Sequence, residues 1–192
     1  MIWKNPKGSR KPLGLGKYRM VETARYRVGQ FFRALTARVS DEELEQVTHI
    51  LTPAALILFR SMTTPDQRHA LDVYHALCRA GHTDSRLFTA ALLHDVGKAA
   101  ARLPAWRRAI IVLLERFAPR LLARLGRGEP RGWRRSFIVH ARHPEIGARW
   151  AKEAGCPPLA IALIRRHQDQ LRNCRTEEDQ LLTVLQAADN LN

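Results

Sequence analysis

Helix punctuation recurs along this chain at short intervals and leaves little room for any other element. Ser40 stands before Asp41, Glu42 and Glu43. A hydroxyl there caps the first free amides of a helix, and a glutamate three residues on reaches back to the cap. Thr64 and Pro65 read as the cap and first turn of a helix running to Ala80, where Gly81 stops it. Asp84 caps another, from Ser85 to about His94. Pro157 and Pro158 open one that reaches about His167, and Thr176 opens the last, with Glu177, Glu178 and Asp179 facing the positive end of its dipole. Between these signals apolar residues recur at steps of three and four, with no alternating run of useful length.

Weaker signals fill the remainder. Helical periodicity runs from Val21 toward Arg38 and again over 54–60. Residues 106–125 read as an amphipathic helix that Pro119 kinks or splits. Residues 126–132 read as a loop and 133–142 as a short helix, with Pro144 opening a separate helix that ends at Gly155. The expectation is an all-α helical bundle without internal repeats. Residues 1–40 form a basic N-terminal arm and helix, and 41–192 the helical domain.

Composition narrows the class. A chain of 192 residues with 45% hydrophobic content buries a core without staples. Its three cysteines, Cys78, Cys156 and Cys174, form no CxxC pair, which points to a reducing compartment. Residues 1–20 are basic but lack the apolar centre of a signal peptide, and no stretch is long enough to span a bilayer. The expected location is the cytoplasm. The formal charge of +14 suits phosphorylated substrates, nucleic acid or an anionic membrane surface.

The informative residues are polar ones on apolar stripes. His69 lies in line with Val73, Ala76 and Ala80; His94 with Leu87, Ala90 and Ala91; His167 with Ala160, Leu163 and Ile164; and Asp189 with Leu182 and Leu185. His143 precedes Pro144, in line with Ile146, Gly147 and Trp150. A buried imidazole or carboxylate is costly unless paired. One such residue is usually a satisfied core group. Several on separate helices form a set of the kind that holds divalent transition metals, and Asp95, beside His94, adds a carboxylate able to bridge two ions. His49, His75 and His82 fall off these stripes and read as surface residues, with His140 intermediate.

The segment RHALDVYHALCRAGHTDSRLFTAALLHDVGK, 68–98, resembles the HD superfamily of metal-dependent phosphohydrolases: a histidine, a helix, a histidine–aspartate doublet within LLHDVGK, then a distant aspartate. The resemblance covers about 66–192 and implies His69, His94, Asp95 and Asp189 as metal ligands. The second half, HPEIGARWAKEAGCPPLAIALIRRH followed by QAADN, is similar to HD proteins that bind two metals, which implies His143 and His167 as ligands of a second ion bridged by Asp95. The site pattern is similar to hydrolases that split dinucleoside tetraphosphates. It differs from cyclic-dinucleotide phosphodiesterases: there is no GYP, and Arg166, His167 and Gln168 stand where those have His-His-Glu.

The implied chemistry is hydrolysis of a phosphate ester or anhydride of a nucleotide or similar small substrate. One or two ions of iron, manganese, zinc or nickel activate the water. Asp95 and Lys98 are the expected catalytic residues. Lys98, Arg142 and Arg166 are the expected phosphate contacts, with Arg165 beside them. Gly97-Lys98 is not a nucleotide-binding P-loop, because Leu92 and Ala99 occupy the positions that need glycine and a hydroxyl. The rival reading is a nucleic-acid-binding protein acting through the basic arm, or a catalytically silent signalling module on the same scaffold. The amphipathic stretch at 106–125, with Trp106, Ile110, Leu113, Leu114 and Phe117 on one face, reads first as a core helix or lid and second as a surface for an acidic membrane or partner helix. Oligomeric state is not encoded in any recognisable signal.

Overall fold

The computed structural model describes residues 38–101, 105–171 and 173–192, so residues 1–37 of the expected N-terminal arm and helix over 1–40 lie outside it. Among the described residues there are nine α-helices and two 3₁₀ segments and no strand, an all-α architecture. The helices are α1 (Asp41–Ile50), α2 (Pro53–Ser61), α3 (Thr64–Arg79), α4 (Ser85–Leu93), α5 (Ala105–Phe117), α6 (Pro119–Leu125), α7 (Arg135–Glu153), α8 (Pro158–Arg166) and α9 (Glu177–Leu191). No helix among these residues is long and apolar enough to cross a membrane.

Most boundaries follow the local chemistry. Ser40 and Glu43 close their capping box, with Oγ accepting from Glu43 N at 3.3 Å and Oε2 accepting from Ser40 N at 3.1 Å. The other carboxylate oxygen of Glu43 takes the guanidinium of Arg68 at 2.6 Å, which ties α1 to α3. Thr176 and Asp179 close a second box at the start of α9. Pro119 splits the 106–125 segment into α5 and α6.

Residues 135–153 depart from expectation. They form one helix, α7, with Pro144 inside it. A proline within a helix removes one hydrogen bond, to the carbonyl four residues earlier, here that of His140. That carbonyl accepts instead from His143 Nδ1 at 2.6 Å. The lost backbone donor is thus replaced from the adjacent side chain, and the helix continues.

The core lies among α3, α4, α8 and α9, where Leu71, Leu77, Leu87, Leu92, Leu163, Ile164, Leu182 and Leu185 are almost wholly buried. Each such side chain contributes about 1.5–3 kcal/mol through burial. The 3₁₀ segment Val96–Ala101 leads out of α4 and lies flat on α7. The approach is backbone to backbone: a Cβ on Gly97 would stand 2.0 Å from the His143 carbonyl oxygen. Gly147 gives the facing clearance, since its own Cβ would press on Val96 and Gly97. Two glycines therefore bring the end of α4 against the middle of α7.

The apolar stripe of α5 is a second departure. Trp106, Ile110, Leu113 and Phe117 face outward, and Ile111 is the buried contact. The helix carries apolar residues on two sides and packs with the other one.

Candidate metal centre

Six residues from five places in the chain converge. His69 comes from the middle of α3, and His94 and Asp95 from the end of α4. His143 comes from the middle of α7, His167 from the end of α8, and Asp189 from the last turn of α9. His94 is 1% exposed and His143 0%, with Asp95 and His167 also buried. His69 and Asp189 form the more open side.

Asp95 stands at the centre, and its two oxygens divide the site. Oδ2 faces His94 Nε2 at 3.5 Å, His69 Nε2 at 4.0 Å and Lys98 Nζ at 2.5 Å. Oδ1 faces His143 Nε2 at 3.2 Å and His167 Nε2 at 3.8 Å. Asp189 Oδ1 completes the first side, 2.8 Å from His69 Nε2 and 3.6 Å from His94 Nε2. Two groups of residues are close enough to hold an ion, His69–His94–Asp95 and Asp95–His143–His167, and they share the carboxylate.

Three of the imidazoles are oriented by the same device. His94 Nδ1 lies 2.9 Å from the Ala91 carbonyl, His143 Nδ1 2.6 Å from that of His140, and His167 Nδ1 2.8 Å from that of Ile164. Each carbonyl is three residues back, in a place where helical donors run out: the last turn of α4 or α8, or the position that Pro144 leaves without an amide. A carbonyl only accepts, so each Nδ1 carries a proton, and in the neutral ring each Nε2 presents a lone pair to the interior.

That arrangement calls for a cation. His143 Nε2 and His167 Nε2 stand 3.1 Å apart, lone pair toward lone pair. His94 Nε2 is buried without a hydrogen-bond partner, facing two carboxylates. Neutral imidazoles fixed through Nδ1–H to a carbonyl, together with a bridging carboxylate, are the donor set of divalent transition metals. The residues present fit such an ion.

The charges agree with this. Burial would raise Asp95, but Lys98 and His94 beside it hold it well below the usual carboxylate range. Asp189 follows the same pattern, its burial outweighed by the hydrogen bond from His69 and by the charge of His94. Burial opposes charge on His94, yet Asp95 and Asp189 overturn it and raise the imidazole to about 9, so a proton takes the cation's place when none is bound. Burial, with the charge of His94, pushes His167 down to about 3 and keeps it neutral.

Lys98 is half-buried on the bond to Asp95 and enters a cavity of about 230 Å³ whose lining includes Asp66, Ile111, Glu115, His140 and Gln168. Burial opposes its charge, while Asp95 and Asp66 raise its pKa and keep it an ammonium. On the other side, a wider groove of about 900 Å³ reaches His167 and Asp189 and is edged by Gln168, Asn173, Gln186 and Asn190.

The expected phosphate contacts fare differently. Lys98 is in place. Arg166, expected to bind phosphate, is instead taken up by carboxylates: Glu178, Asp179 at 3.0 Å and Asp169 at 3.3 Å. The acidic first turn of α9 faces the end of α8 and captures the guanidinium. Arg142 and Arg165 are exposed. His49 is exposed and His75 and His82 half-buried, all outside the cluster. The residues that sequence reading missed are those of the cavity. His140, 3.0 Å from Glu115 Oε1, was signalled only by lying a turn before His143. Gln168 had no signal beyond following His167, and its amide reaches His143 Nε2 at 3.5 Å.

Compared with protein-family models, with curated proteins and with solved structures, the chain matches none.

Proposed function

We propose that the chain is a metal-dependent phosphohydrolase of the HD type, acting on a nucleotide or similar small phosphorylated substrate. The observation that carries this reading is the division of Asp95, one oxygen toward His69 and His94 and the other toward His143 and His167. A single carboxylate between two sets of lone pairs is a bridge for two ions. His69, His94, Asp95 and Asp189 would hold one, and Asp95, His143 and His167 the other. Iron, manganese, zinc and nickel all suit these donors. When bound, such ions polarise a phosphoryl group and make a nucleophilic water available at neutral pH.

The chain's own residues supply the rest. Lys98 places an ammonium beside Asp95, at the mouth of the cavity, where it neutralises charge that builds on the phosphoryl oxygens. Carbonyls of Ala91, His140 and Ile164 keep three imidazoles from rotating. The amide-edged groove offers paired donors and acceptors to a base or sugar.

The test is turnover by protein reconstituted with manganese or iron, screened against nucleotides and dinucleoside polyphosphates. The expected result is phosphate release that falls at least about a hundredfold in Asp95→Asn and Lys98→Met. Loss of metal in Asp95→Asn with no turnover by wild type on any phosphorylated substrate would overturn the enzyme and leave a metal-bound scaffold.

A further inference from the structure

Helix α5 carries two apolar faces, and among the described residues the fold packs against one of them. Ile111 is 4% exposed and lines the cavity beside the metal centre, with Leu114 half-buried. On the other face Trp106, Ile110, Leu113 and Phe117 follow at steps of four, three and four, an unbroken stripe along the helix. Trp106 is 59% exposed, Leu113 56% and Phe117 75%. Beyond Pro119, Leu121 on α6 is exposed as well. Apolar surface gathered in this way marks a docking face.

Charge identifies what it fits. Residues 102–142 hold eleven arginines against two acidic residues, Glu115 and Glu129. Two of the arginines flank the stripe and lay a guanidinium over its rings: that of Arg107, also bonded to Ser136 Oγ at 3.0 Å, is 5.0 Å from the Trp106 ring centre, and that of Arg116 is 5.6 Å from the Phe117 ring centre. Each end of the stripe thus pairs an exposed ring with a cation, and exposed Arg120 and Arg124 continue the row on α6. Paired copies of this chain would bring like charges together across the symmetry axis, which disfavours self-association. A nucleic acid would use the arginines but has nothing to place on Ile110 and Leu113. An anionic bilayer uses both, because rings and aliphatic groups sink to the acyl boundary while guanidiniums meet lipid phosphates.

We infer that the outer face of α5 and α6 is a docking surface for an anionic lipid bilayer, with both helices lying along the membrane. This holds independently of the metal-centre reading, since it rests on other residues.

The experiment is co-sedimentation of the full chain with vesicles of phosphatidylcholine alone, or of equal parts phosphatidylcholine and phosphatidylglycerol. A second readout is quenching of tryptophan emission by brominated lipid. Binding to the anionic vesicles only is expected, weakened roughly tenfold or more by Phe117→Ser and further by adding Leu113→Ser. Trp106→Phe should keep binding and lose most of the quenching. Because these side chains are exposed, circular dichroism and melting should match wild type. Absence of binding to anionic vesicles would overturn the inference. So would binding that Phe117→Ser and Leu113→Ser leave intact, which would assign it to basic residues elsewhere. Variants that abolish a dimer or duplex-DNA binding, with vesicles unaffected, would give the face to those partners instead.

Discussion

Two regions of this molecule invert the usual placement of residues, in opposite senses. At the candidate metal centre, imidazoles and carboxylates are buried: His143 is 0% exposed and His94 1%. On α5, Phe117 and Trp106 are among the exposed large hydrophobic side chains described. Both arrangements are unfavourable for an isolated chain in water, and each becomes favourable when a partner is supplied. The buried imidazoles and carboxylates could hold a cation, and the inferred partner of the outer stripe is an apolar phase bounded by negative charge. The difference lies in how each is held. The centre is locked by five segments and by carbonyl contacts to Nδ1, whereas the stripe lies on a helix anchored by its opposite side. Damage at the centre should therefore reach the fold, and damage on the stripe should not.

The strongest test of that contrast is Gly97→Ala. Its Cβ would fall 2.0 Å from the His143 carbonyl oxygen, backbone that cannot rotate away. We expect a loss of at least about 3 kcal/mol by urea denaturation, together with loss of metal binding, because the segment that carries Asp95 must separate from α7. Asp95→Ala comes next. It removes the nearest counter-charge of buried His94 and half-buried Lys98, leaving the more distant Asp189 and Asp66, and about 3 kcal/mol should be lost in metal-free protein. Survival of either variant at wild-type stability would break the claim that the centre is structural as well as functional.

The same contrast shows how far the sequence could be read. The six clustered residues were legible because each sat on an apolar stripe or helix end, and a polar residue there must find a partner. The caps at Ser40, Asp84 and Thr176 were legible because capping is local chemistry. The continuity of α7 was not, since the rule that proline interrupts a helix does not know that His143 will take the freed carbonyl. The orientation of α5 was not, because a helix with apolar residues on two sides gives periodicity no way to choose between them. Arg166 was misjudged because its carboxylate partners come from α9, beyond a connection that sequence spacing does not fold.

Smaller effects sharpen the comparison. Saturating metal should raise the melting temperature of wild type, by about 2.7 kcal/mol of added stability at a hundredfold excess over Kd. Phe117→Ser should shift unfolding by no more than about 0.5 kcal/mol, in contrast to any change at the centre. The smallest expected effect is at Asp179. The Thr176 hydroxyl and then Arg166 hold its carboxyl down at about 2, against an ordinary value of 3.8. A depressed carboxylate stabilises the fold above its unfolded pKa and loses that contribution as pH falls through its folded one. Asp179→Asn should therefore be slightly less stable than wild type at neutral pH. The two urea midpoints should converge as pH falls from about 3.8 toward about 2. A gap that persists at the acid end would mean that the side chain acts through packing and not through its charge.

The most direct test of the account is the metal content of purified, reconstituted protein, measured by elemental analysis on wild type, His143→Ala and Asp95→Ala, with circular dichroism to confirm folding. The division of Asp95 between two sets of imidazoles predicts two ions per chain in wild type, one after His143→Ala and none after Asp95→Ala. Wild-type protein that stays metal-free after reconstitution with manganese, iron, zinc or nickel would contradict it.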